Sequence, residues 1–143
     1  MPYCTMDDLK TKIDERALTE LTDTAGLNVP DASKVDRAIR DASALVDSYL
    51  GKAYRVPFNP IPHTVIDITS ALAIGNLHRF RSAESPVWKA ACDDAMTRLR
   101  AIARGEASLE GAIAEPPASD DDSAALMFTS SARRFSRDSL NGM

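Results

Sequence analysis

The sequence predicts an all-α protein: a small helical bundle of three long helices, preceded by one or two short N-terminal helices and followed by an extended C-terminal tail. Three observations predict it. Apolar residues recur at three- and four-residue steps through three separate stretches, as on one face of a helix. Each stretch is bounded by capping or breaking residues. After residue 113 the composition turns acidic and proline-bearing, which suits a linker and not a core.

At the N-terminal end, Thr5 followed by Met6-Asp7-Asp8 supplies a hydroxyl cap and then acids for the positive end of a helix dipole. Met6, Leu9 and Ile13 give that short helix its apolar side. A second short helix is expected to turn Ala17, Leu18 and Leu21 inward. Residues 22–32 read as a loop, broken by Gly26 and Pro30.

The clearest segment follows. Val35, Ala38, Ile39, Ala42, Leu45, Val46, Tyr49 and Leu50 share one face, while Lys34, Asp36, Arg37, Arg40, Asp41, Asp47 and Ser48 occupy the other. Asp31 or Ser33 caps this helix and Gly51 stops it. Residues 52–62 hold Pro57, Pro60 and Pro62, which remove donors and push their predecessors toward extended backbone. Tyr54, Val56, Phe58 and Ile61 are therefore expected to run extended over the core.

A second long helix spans about residues 63–81. Val65, Ile66, Ile68, Ala71, Leu72, Ala73, Ile74, Leu77 and Phe80 cover most of its circumference, which predicts the central, most buried helix. His78, Arg79 and Arg81 stand where cations suit its negative end. Ser85-Pro86 opens the third, with the serine as cap and the proline at the first helical position. Its inner stripe is Trp88, Ala91, Cys92, Ala95, Leu99, Ile102 and Ala103, and Gly105 ends it. Residues 106–113 are ambiguous between helix and loop.

The domain reading is a helical core over 1–113, a flexible linker over 114–125 and an extended docking tail over 126–143. Residues 115–125 carry four acidic and no basic groups, and residues 126–143 carry three arginines against one aspartate. Phe128, Arg133, Arg134, Phe135, Arg137 and Leu140 are the candidate partner-binding residues, because apolar and arginine anchors are what protein interfaces favour. An aromatic-basic nucleic-acid motif is the competing reading of the same residues, with a weak electrostatic footprint beside Asp138.

Little else points to chemistry. His63 and His78 are fifteen residues apart on one helix, more than about 20 Å, too far to share a metal or proton. Cys4 and Cys92 fit no metal-ligand spacing and read as buried or half-buried free thiols. The loop from Asp23 to Asn28 looks like an eroded calcium loop, yet Ala25 and Leu27 occupy positions where oxygen ligands would alternate. Asp120, Asp121 and Asp122 read as a solubilising spacer. No catalytic, cofactor or metal site is expected, and so no enzyme. The net charge of −4 argues against a general nucleic-acid coat. With neither a signal peptide nor a membrane span in the sequence, a soluble protein made in a host cytoplasm is expected.

Several stretches taken together resemble a phage family, the Mu-like head-to-tail connectors (adaptor or head-completion proteins). They are Tyr3-Cys4-Thr5-Met6-Asp7-Asp8-Leu9, Glu20-Leu21-Thr22-Asp23, and Ala42-Ser43-Ala44-Leu45-Val46-Asp47-Ser48-Tyr49-Leu50. Tyr54-Arg55-Val56-Pro57-Phe58 follows with Pro60-Ile61-Pro62, and then Arg134-Phe135-Ser136-Arg137-Asp138-Ser139-Leu140-Asn141-Gly142. The chain departs from that pattern in its loop at 23–29, which is less rich in acids and glycine, and at Phe58, where leucine is common. The resemblance implies a structural virion protein that forms a homo-oligomeric ring, a dodecamer matching the portal's twelvefold symmetry, between portal and tail. It implies the portal protein and a tail-completion or tail-terminator protein as partners, and passage of DNA through the ring without sequence reading. The alternative class is a small DNA-binding or packaging accessory, which should show a helix face rich in lysine and arginine; the helix at 33–50 is balanced instead.

Overall fold

The structure, a computed structural model, describes residues 2–113. Five α-helices make up the described chain: α1 (Met6–Lys10), α2 (Glu15–Thr22), α3 (Ala32–Leu50), α4 (His63–Phe80) and α5 (Pro86–Ala103). The all-α class, the three long helices and the two short ones match the expectation from apolar spacing. The linker over 114–125 and the tail over 126–143 lie outside the described residues.

Local chemistry sets the helix boundaries. Thr5 and Asp8 form a reciprocal capping box at α1: Thr5 Oγ1 accepts from the Asp8 N–H, and the Asp8 carboxylate accepts from the Thr5 N–H at 2.7 Å. Asp14 caps α2 through the Ala17 N–H at 2.9 Å. Of the two candidates at α3, Asp31 is the cap, accepting from the Ser33 and Lys34 N–H groups. Ser85 caps α5 with Pro86 in the first turn. Gly105, at φ +81°, follows the last turn of α5 in the left-handed conformation that glycine adopts without strain.

Helices α3, α4 and α5 pack as antiparallel neighbours, with α4 in the centre. Asn76 Nδ2 donates to the Ala38 carbonyl at 3.3 Å, tying late α4 to early α3. Cys92 Sγ donates to the Ala71 carbonyl at 3.4 Å, and Arg98 meets Asp67 at 2.9 Å, tying α5 to α4 in the opposite sense. The residues of α4 from Ile68 to Gly75 are buried without interruption, as a helix apolar all round should be. Of its two buried hydroxyls, Ser70 donates back to the Ile66 carbonyl, while Thr69 Oγ1 is buried without a hydrogen-bond partner.

The segment 52–62 is non-helical and lies on the core, with Tyr54 and Phe58 buried and Val56 and Ile61 half-buried. Residues 106–113 fold back against it. Leu109 is buried, its N–H donates to Tyr54 Oη at 3.3 Å, and the Arg55 N–H donates to the Ile113 carbonyl at 3.2 Å. The ambiguous stretch thus belongs to the core through one leucine.

Phe80 departs from its expected place. Its spacing from Leu77 put it on the buried surface of α4, yet it is 60% exposed. It is the last residue of α4, where α3 has reached its own first turn, and the Lys34 ammonium lies 5.7 Å from its ring centroid in place of an apolar partner.

Candidate interaction surface

Large apolar side chains left in water point to what a small bundle binds, provided that they gather. Among the described residues, Leu27 (71%), Val29 (55%), Phe80 (60%), Val87 (73%) and Ile113 (64%) are the large hydrophobic residues left exposed. Four of them share one end of the bundle. Leu27 and Val29 lie on the loop before α3, Phe80 ends α4 and Val87 sits in the first turn of α5. Lys34 pins these elements together: its ammonium lies over Phe80 and donates to the Thr22 carbonyl at 3.0 Å and to Thr24 Oγ1 at 2.5 Å.

The loop carrying Leu27 and Val29 is organised by one carboxylate. Asp23 Oδ1 accepts from the N–H groups of Ala25, Gly26 and Leu27 at 2.9–3.1 Å, and Oδ2 accepts from Asn28 at 2.7 Å. Gly26 and Asn28 take left-handed φ values of 76° and 61°, which turn these amides inward. The Asn28 N–H foremost, and then those of Leu27, Ala25 and Gly26, hold the Asp23 carboxyl below its usual range. The stretch that looked like an eroded calcium loop is therefore an anion-centred turn. Its aspartate oxygens face backbone amides and not a shared cation position.

Beside this end lies an open groove of about 420 Å³ between α2 and the α4–α5 turn. Ile13, Ala17 and Leu21 form one wall, and His78, Ala83 and Trp88 the other. His78 Nδ1 donates to the Ala83 carbonyl at 3.2 Å, and its ring stacks against Trp88 with centroids 6.4 Å apart. This histidine braces the turn, while His63 is exposed at the far end of the same helix.

The remaining notable polar groups hold the fold. Asp67 on α4 receives both Lys12 and Arg98, which hold its carboxyl below the usual range; Lys12 is the larger cause. Tyr3 is buried, donates to Asp47 and accepts from the Phe58 N–H at 3.4 Å. Burial pushes the Cys4 thiol up to about 11. Both cysteines are free, Cys4 buried and Cys92 half-buried. Among the described residues no cluster of histidine, cysteine or acidic side chains is arranged to hold a metal, and no helix is long and apolar enough to cross a membrane.

The candidate residues Phe128, Arg133, Arg134, Phe135, Arg137 and Leu140 lie outside the described residues, so their positions are not part of this surface. The apolar end was missed at the sequence level. Its signal was present in Leu27 and Val29, two large hydrophobics within a loop otherwise built from turn residues.

The described residues define a small all-α bundle with an exposed apolar end. The chain belongs to the bacteriophage family described as Bacteriophage Mu, Gp36, whose model matches residues 3–128. That span includes Phe128 and stops short of Arg133, Arg134, Phe135, Arg137 and Leu140. No curated protein matches the chain.

Proposed function

We infer that this chain is a virion structural protein, a head-to-tail connector subunit that assembles as a ring between the portal and the tail of its phage. Membership of the Mu Gp36 family carries the reading, together with the likeness to Mu-like connectors along the segments quoted above. The apolar end supports it, since an assembly subunit needs surface that is satisfied only by a partner. In this reading the protein acts by binding and not by catalysis. Its partners are further copies of itself, the portal and a tail-completion protein, and DNA passes through the ring without being read.

The DNA-binding alternative draws less support. The exposed face of α3 pairs Arg37 with Asp41 at 3.2 Å, and α5 pairs Arg98 with Asp94, so these cations are matched within their own helices. A phosphate-reading helix leaves its cations free.

Electron microscopy of portal-bearing heads incubated with the purified chain tests the proposal. A ring of added density on the outer face of the portal is expected. Heads that stay bare at saturating protein, in the presence of tail-completion protein, contradict it.

A further inference from the structure

We propose that the apolar end formed by the α2–α3 loop, the end of α4 and the start of α5 is the seat for residues 126–143 of a second copy of this chain. The proposal rests on the connector reading and names the contact that would join neighbouring subunits.

The surface and the point where the described chain stops sit at opposite ends of the bundle. Leu27, Val29, Phe80 and Val87 lie at one end, beside the groove walled by Leu21 and Trp88. The described chain stops at Ile113, whose carbonyl is held by the Arg55 N–H just beyond α3; Glu110 accepts from Thr64 in the first turn of α4. The seat is therefore separated from the exit by the length of α4, whose 18 residues span about 27 Å.

The intervening residues 114–125 reach at most about 40 Å when fully extended. Returning to the seat of its own chain would use most of that reach merely to run back along the bundle. Between copies arranged end to end, the exit of one lies beside the seat of the next, and the same residues need no such stretch. The chemistry also matches. Phe128, Phe135 and Leu140 are large apolar groups in a polar stretch, and the seat offers the exposed side chains of Leu27, Val29, Phe80 and Val87 beside the half-buried Trp88 ring.

A contact between two different patches of identical subunits is heterologous. It propagates from copy to copy and closes into a ring when the rotation per step allows. Such a pairing gives a chain with one exposed apolar end a reason to stop adding subunits only when the ring is complete.

The test uses the full chain with a photoreactive benzoylphenylalanine in place of Phe135. It is mixed with ¹⁵N-labelled full chain and added to portal-bearing heads before irradiation. Mass spectrometry should find residue 135 joined to peptides containing residues 27–29 or 80–88, with one partner labelled and the other not. Phe80→Asp with Val87→Asp on the labelled chain should lower these mixed-label products about tenfold or more, as expected when large apolar side chains lose their apolar cover. Both substituted positions are exposed, so circular dichroism of that variant should be unchanged. Same-label products with no mixed-label ones would mean docking within one chain, and products with the portal in place of the end face would mean a different receptor; either overturns the proposal. Rings seen on the portal without end-face products would sink this contact and leave the connector reading standing. Heads without rings would sink the connector reading itself.

Discussion

The Sγ of Cys92 occupies the space that a Cβ on Gly75 would need: the two atoms would be 2.1 Å apart. Gly75 is therefore what lets α5 approach the central helix closely enough for the Cys92 thiol to reach the Ala71 carbonyl. Gly75→Ala should destabilise the bundle by about 1–3 kcal/mol through overpacking, less the part recovered by alanine's better helix propensity. Adding Cys92→Ala should restore most of the loss. Urea denaturation of the single and double variants checks this, and equal losses in both would show that the close approach lies elsewhere.

Asp67 joins three elements, since Lys12 follows α1 and Arg98 lies on α5. Its folded pKa is depressed below the unfolded value of about 3.9. Its contribution is therefore fully present above that value and is lost as pH falls through the folded pKa. Thermal melts should show the wild type losing stability below about pH 4 more steeply than Asp67→Asn. At neutral pH the variant should be the less stable, modestly, because the pair is partly solvated.

Tyr3 answers to the opposite end of the pH scale. Burial first, and then the hydrogen bond to Asp47, push its phenol well above its ordinary value of about 10. A raised folded pKa means that stability is intact below the unfolded value and falls as pH rises past it. Stability should accordingly fall less steeply with pH in Tyr3→Phe above about pH 10, while the variant loses about 1–3 kcal/mol at pH 7 from its broken buried hydrogen bonds. Cys4→Ala should remove the portion of alkaline sensitivity that begins near the ordinary thiol value of about 8.5.

The loop that displays Leu27 and Val29 depends on Asp23, which accepts four backbone N–H groups. Asp23→Ala should leave the three long helices folded and free the amides of residues 25–28. Hydrogen exchange at these amides should accelerate at least several-fold while core amides are unchanged. Unchanged exchange in the loop would show that its shape is held by Gly26 and Asn28 alone.

The long helices were legible because their apolar residues repeat at the period of a helix with one buried face in α3 and nearly all faces buried in α4. Caps at Thr5 and Ser85 were legible too, and that of α3 down to Asp31 or Ser33, since a cap is a contact between neighbours in sequence. What sequence could not supply were contacts between distant residues. The spacing that puts Leu77 inside continues to Phe80, and nothing local says that the neighbouring helix begins there. Tyr3 meets Asp47 across 44 positions, and Lys12 meets Asp67 across 55. The apolar end combines a loop, a helix end and a helix start that lie far apart along the chain. Its exposure is a property of the assembled bundle.

Joining heads to tails is the role proposed for this chain. Particle counts by electron microscopy, from phage carrying a stop codon in place of this chain, measure that most directly. Filled or leaking heads beside free tails are expected, with joined particles restored when the chain is supplied from a plasmid. Joined, infectious particles formed in its absence would contradict it.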